Sequence, residues 1–237
     1  MKNLSILIAL TFLSSLLSAQ NIDDILAKTN AAIGADARAK ISYMQIGGYV
    51  VMTGTESRMP FKLQQANPNK IRIETTVFGM KVIQTYDGIS AWMLNPLQGM
   101  EAKKADTEDM AFISATTAIN GPFIGRADER TPSYVGAKEY KESSCYVLRI
   151  TKTMEEHIDY YIDSTTYMID YIRYEYKKNG GWYSMEYKVE NYSDFEGAKF
   201  PEEITVYING VEMTSLFVTK VKVLTEMDDK LFKKPLY

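Results

Sequence analysis

The chain has 237 residues, of which 46% are hydrophobic and 24% charged, with a formal net charge of −3. Those fractions exclude a disordered chain and a polytopic membrane protein, and an acidic chain without a basic block gives no reason to expect a nucleic-acid partner. Seventeen tyrosines against two tryptophans and one histidine favour broad half-buried sheets, where a ring packs and its polar tip reaches water.

The first segment reads as a leader. Met1-Lys2 is a positive start, Leu4 to Leu17 is apolar apart from small Ser and Thr, and Ser18-Ala19-Gln20 is a small-residue exit. This is the layout of a secretory signal peptide over residues 1–20, cleaved near Ala19 or Gln20. The apolar run is too short to cross about 30 Å of hydrocarbon comfortably. Residues 21–237 then read as one domain. Its one cysteine, Cys145, lies in the apolar run Cys145 to Ile150 and is read as a small strand residue, since a lone thiol closes no internal disulfide. With no cysteine at the cleavage site, the mature chain is expected to carry no lipid anchor.

Few helices and many hairpins follow. Ile22, Ile25, Leu26, Thr29 and Ile33 recur at helical spacing, and Gly34 sits where a helix stops. From Tyr43 the period becomes two. Lys70 to Val77 alternates, and a tight turn at Phe78-Gly79 pairs Val77 with Met80 and Thr75 with Val82. Asp87-Gly88 turns the chain into a strand from Ile89 to Leu94. Strand parity puts Met93 on the face of Ile71, Ile73 and Val82, and Trp92 with Ile83 and Leu94 on the other. Asp106-Thr107-Glu108-Asp109 opens a helix that continues from Met110 to Ile119, and Gly121-Pro122 ends it.

After Tyr134 the chain is β to near its end. A turn at Asn179-Gly180 puts Ile172, Tyr174 and Tyr176 on the side of Met185, Tyr187 and Val189, with Arg173, Glu175, Glu186 and Lys188 opposite. Asn209-Gly210 repeats the device, placing Ile204, Val206 and Ile208 with Val211, Met213 and Phe217. The expected class is therefore α+β, mainly β: a large antiparallel sheet with one apolar face that must be covered, with helices available to cover it.

Catalytic constellations do not emerge. His157, in Glu155-Glu156-His157-Ile158-Asp159, belongs to no His-Glu-x-x-His pattern and reads as a polar strand residue. There is no Gly-x-Ser-x-Gly, phosphate loop or dinucleotide fingerprint. Acidic pairs such as Asp23-Asp24, Glu202-Glu203 and Asp228-Asp229 fit capping and solvation. The expectation is a protein that is not an enzyme and has no metal site or cofactor.

Four segments resemble a known family. Asn67-Pro68-Asn69 before a strand, Asp87-Gly88 followed by Trp92 and Asn95-Pro96, Gly121-Pro122-Phe123-Ile124, and the closing Phe232-Lys-Lys-Pro235 together look like the LolA family of periplasmic lipoprotein carriers. The resemblance implies an incomplete, strongly curved antiparallel β-barrel, closed by an N-terminal helix and a central helical lid. It implies a soluble periplasmic carrier that shelters acyl chains of lipoproteins or other lipids on their way to the outer membrane. The implied partners are those acyl chains, an inner-membrane release complex and an outer-membrane acceptor, with the carrier itself a monomer. One departure matters: the family places a lid-bonding arginine before the first Pro-Asn, and here that position is Asn67.

A carrier of this kind needs an apolar lining. Ile71, Ile73, Met80, Val82 and Met93 on the sheet, opposite Met110, Ile113 and Phe123 on the lid, are the residues expected to line it. The alternative function is a non-transporting, lipid- or protein-sensing interaction module on the same scaffold.

Overall fold

The computed structural model describes residues 22–105, 110, 113, 118–119, 121–123, 131–178 and 180–236. The leader, the helix start at Asp106–Asp109, Ile124 and the loop through Arg130 lie outside the described residues. Helix α1 covers residues 22–32, and Gly34, at φ +71°, joins it to a short second helix, α2 (Ala35–Arg38), which the sequence pattern does not announce. Gly34 is required there because a Cβ would lie 1.8 Å from the carbonyl oxygen of Gly197. Among the described residues no helix is long and apolar enough to cross a membrane.

Thirteen strands make one antiparallel sheet. The first six are β1 (Tyr43–Met52), β2 (Arg58–Ala66), β3 (Lys70–Val77), β4 (Met80–Tyr86), β5 (Ala91–Leu94) and β6 (Lys103–Lys104). The other seven are β7 (Ser133–Tyr140), β8 (Ser143–Thr153), β9 (Glu156–Asp163), β10 (Ile169–Lys178), β11 (Gly181–Phe195), β12 (Ala198–Ile208) and β13 (Val211–Leu224). Their spatial order is β6-β5-β4-β3-β2-β1-β13-β12-β11-β10-β9-β8-β7, so β1 joins the two halves and β6 and β7 are the open edges. The sheet curves without closing.

Register follows from the turns. Phe78 and Gly79 both have positive φ, as a two-residue primed hairpin requires, and the pairs Val77–Met80 and Thr75–Val82 form. Tyr174 faces Met185, Ile172 faces Tyr187 and Arg173 faces Glu186, the apolar and charged faces expected of that hairpin. Two readings need correction. The fifth strand begins at Ala91, because Asp87 accepts hydrogen bonds from the N–H groups of Ile89 and Ser90 and makes the turn longer. In the last hairpin a bulge between Val206 and Tyr207 sets Val206 opposite Thr214, so Phe217 pairs with Glu203 and leaves the face of Ile204. Leu216 takes the inner position instead, and Phe217 stacks on Tyr49 on the outside with centroids 5.0 Å apart.

The concave face carries three apolar clusters. Phe61, Leu63, Ile71, Tyr86 and Ala91 form one in the first half. Leu148, Ile150, Ile158, Tyr160, Ile172 and Tyr174 form the second in the other half, covered by Ile22, Ile25 and Leu26 of α1. Ile41, Met44 and Phe200 form a third between them. The convex face is different. On β8 to β11 it holds a ladder of charges, including a two-pronged Arg149–Asp159 pair at 2.6 and 2.7 Å and an Arg173–Glu175 pair at 2.8 Å. On β3 to β5 the C-terminal segment covers it: Arg72 donates to the carbonyl of Leu231, Thr85 to that of Lys233, and the Lys234 ammonium lies 5.1 Å over the Trp92 ring.

Candidate functional site

A connection from β6 to β7 must travel from one edge of the sheet to the other, and it does so on the concave side. Its described residues mark the path. Met110 and Ile113, both with helical backbone, pack on the Phe61–Ile71–Tyr86 cluster. Ile119 is buried in the middle cluster with Met44 and Phe200. Phe123 lies edge-on to Tyr160, centroids 4.9 Å apart, in the far cluster. The crossing segment therefore lays an apolar side chain on each of the three clusters in turn.

Of the expected lining residues, the structure brings Ile71, Ile73, Met110 and Ile113 into one cluster. Met80, Val82 and Met93 are half-buried on the same face by register, nearer the open end of the β3–β4 hairpin and the β5 edge. Phe123 is not opposite Ile71 and Ile73. It covers the other half of the sheet, because nine residues of crossing chain separate it from Ile113. Trp92 stands on the convex face with Thr85 and Arg72, under the C-terminal segment. Asn67, at the position of the family arginine, donates through Nδ2 to the carbonyl of Ile41 at 2.7 Å and so ties β2 to the segment after α2.

Beneath the crossing segment lies a hollow of about 80 Å³, lined by Ile33, Pro122, Ile172, Val189 and Ile204 among others. One lining residue breaks the apolar pattern: Arg38, 7% exposed, on α2. Its guanidinium lies 4.4 Å over the Phe200 ring and its Nε is buried without an acceptor. Burial lowers its pKa to about 10, the neighbouring Tyr192 phenol acting weakly in the other sense, so it is charged at neutral pH. The sequence reading missed Arg38. The one signal available was its i, i+3 spacing from Ala35, too short a helical stretch to define a buried face.

Elsewhere chemistry is restrained. Cys145 is buried and its thiol is pushed up to about 11, chiefly by burial and then by Asp170 and Asp163, which makes it a poor nucleophile. His157, Asp159 and Glu175 on the convex face bring ligand atoms within 4.8 Å of one another. Their carboxylates are already engaged, Asp159 by both prongs of Arg149 and Glu175 by Arg173 and His157 at 3.1 Å. The trio is part of a salt-bridge ladder whose two guanidinium groups repel a cation.

No family model matches this chain, and no curated protein does. Solved structures do share its architecture. A LolA superfamily protein from Nitrosomonas europaea is 14% identical with a TM-score of 0.59, over 90% of this chain and 97% of that one. A domain named for outer membrane lipoprotein sorting from Vibrio parahaemolyticus is 12% identical with a TM-score of 0.55, over 86% and 95%. A DUF1329 family protein from Desulfovibrio piger is 12% identical with a TM-score of 0.56, over 88% and 97%. At such identities the likeness is one of architecture, and it extends over 86–90% of the chain: this protein has the LolA-like fold.

Proposed function

We propose that this chain is an exported, monomeric periplasmic carrier that takes acyl chains of lipoproteins or other lipids into its concave face and passes them toward the outer membrane. The observation that carries this reading is the crossing segment, whose described residues Met110, Ile113, Ile119 and Phe123 lie on three separate apolar clusters. Such a cover is separable from the sheet, whereas a sealed core interdigitates throughout. Magnitudes agree. Fully burying one large apolar side chain is worth about 1.5–3 kcal/mol, so Met110, Ile113, Ile119 and Phe123, two of them half-buried, contribute at most about 6–12 kcal/mol. An acyl chain of about 15 methylenes at about 0.8 kcal/mol each offers about 12 kcal/mol, enough to replace them. The names of the similar structures, with LolA and lipoprotein sorting among them, support the same ligand class. The 1–20 leader fits export, and loading and unloading fit an inner-membrane release complex and an outer-membrane acceptor.

The test is native mass spectrometry of the purified mature protein together with titration of a fluorescent acyl probe. Co-purified lipid and saturable probe binding are expected. Absence of both favours the alternative, a sensing or interaction module that uses the scaffold without cargo.

A further inference from the structure

Arg38 is the one fully buried arginine among the described residues, and it has no carboxylate, whereas the half-buried arginines do. Arg72, Arg149 and Arg173 each reach one, at 2.8, 2.6 and 2.8 Å. Arg38 makes no ion pair among the described residues, its Nε is buried without an acceptor, and the Phe200 ring and the Tyr192 phenol are what lies against its charge. Holding a guanidinium largely out of water without a carboxylate is unfavourable, and a methionine of similar length would fill the place without that cost. A charge in such a position, facing a hollow, offers an anion from outside the partner that the described residues do not supply.

The hollow limits what that anion is. Its volume of about 80 Å³ compares with about 30 Å³ for one water, so it takes a carboxylate and a few methylenes but not a whole acyl chain. The walls beyond Arg38, made by Ile172, Val189 and Ile204, suit an alkyl continuation. Gly121 lies directly above: a Cβ there would come within 3.6 Å of Nη1 of Arg38 and 2.7 Å of Cδ1 of Ile33. The chain passes close over the guanidinium at Gly121 because this residue has no side chain.

We infer that Arg38 receives the carboxylate of a long-chain fatty acid, whose alkyl chain continues along the concave face. The planar fork of the guanidinium matches a carboxylate through two parallel hydrogen bonds. This inference rests on the reading of the concave face as an acyl site and adds the head group to it.

The experiment compares palmitate, 1-hexadecanol and 1-palmitoyl lysophosphatidic acid, all below their aggregation limits, by displacement of a fluorescent acyl probe from the delipidated mature protein. The wild type is expected to bind palmitate at least tenfold tighter than hexadecanol and at least as tightly as the phosphate-headed lipid. Arg38→Met should lose the palmitate preference while binding hexadecanol as before, and Arg38→Lys should retain part of it. Arg38→Met should also raise the melting temperature of the delipidated protein, because an unpaired buried charge is gone. A purely structural arginine predicts a fall. Equal binding of palmitate and hexadecanol by the wild type overturns the head-group assignment and leaves the acyl site standing. Tighter binding of the phosphate-headed lipid also overturns it, and binding of no probe overturns both readings.

Discussion

Asp87 and Lys233 stand 146 residues apart and meet through a 2.9 Å ion pair that pins the C-terminal segment to the convex face at the β4–β5 turn. The same carboxylate accepts hydrogen bonds from the N–H groups of Ile89 and Ser90. The Asp-Gly turn and the closing Phe-x-x-Pro segment, far apart in sequence, are thus two sides of one contact. Phe232 is wholly buried beside it.

This contact makes stability depend on acid. Burial alone would raise the Asp87 carboxyl, but the Ser90 N–H, the Lys233 ammonium and the Ile89 N–H outweigh it and hold the group below the usual carboxylate value. Glu74 is lowered likewise: burial opposes, while the Arg72 hydrogen bond and the charges of Lys62, Arg72 and Lys81 prevail. A depressed folded-state pKa gives stability that is present above the unfolded value of about 4 and lost as pH falls through the folded value. Melting temperature should therefore drop steeply below about pH 4. Asp87→Asn keeps an oxygen for Ile89 and Ser90 but loses the ion pair, so its melting temperature should fall less over pH 4 to 2. Equal slopes for the two proteins would remove Asp87 from this account.

The charge ladder on the convex face yields a second expectation. Asp159 has a side chain only 4% exposed and depends on Arg149 for both its oxygens. Arg149→Met should cost about 3 kcal/mol, the low end for breaking a buried pair, because Arg149 itself is a third exposed. Arg149→Met combined with Asp159→Leu should recover most of that loss. Urea midpoints of the three variants measure the coupling. Adding EDTA should leave the wild-type melting temperature unchanged, since Arg149 and Arg173 hold the carboxylates beside His157.

How much of this was legible depends on what fixed each element. Hairpins with two-residue turns could be read to the residue, because Phe78-Gly79 and Asn209-Gly210 both adopt positive φ and set the register at the turn. Phe217 could not, because the bulge at Val206/Tyr207 adds a residue that no pattern of apolar spacing reveals. The alternating faces of β3 and β4 put Ile71 and Ile73 on one side, and they share a cluster with Met110 and Ile113 of the expected lid. Phe123 went astray because sequence does not say that the insertion crosses the whole sheet. Arg38 stayed hidden because a four-residue helix has no period to read.

The proposed lining divides into residues of different burial, which makes it testable. Ile71 is fully buried beneath Met110, whereas Val82, on the same face, is half-buried toward the hairpin end. Ile71→Trp should overpack and cost about 1–3 kcal/mol or more. Val82→Trp should cost less than about 1 kcal/mol and still abolish acyl-probe binding by occupying the mouth of the concave face. Urea midpoints and probe titrations on both variants test this. A large loss of stability in Val82→Trp would mean that the face is packed shut at that point as well.

The joint between the two halves makes the last prediction. In β1 the register against β13 shifts between Gly47 and Gly48, leaving an extra residue on β13 that sharpens the local twist. A Cβ on Gly48 would lie 1.9 Å from the carbonyl oxygen of Phe217 and 2.8 Å from the Phe61 ring, so the strands approach as closely as a missing side chain allows. At Gly47 the nearest atom would be Cβ of Lys220, 4.0 Å away. Gly48→Ala should therefore push β1 from β13 and cost about 1–3 kcal/mol, while Gly47→Ala should stay within about 0.5 kcal/mol. Because Phe61 belongs to the cluster under Met110, the displacement should also weaken acyl-probe binding in Gly48→Ala and not in Gly47→Ala. Equal stability and equal binding in the two variants would show that the bulge, and not the absence of a side chain at Gly48, sets the curvature of the sheet at this joint.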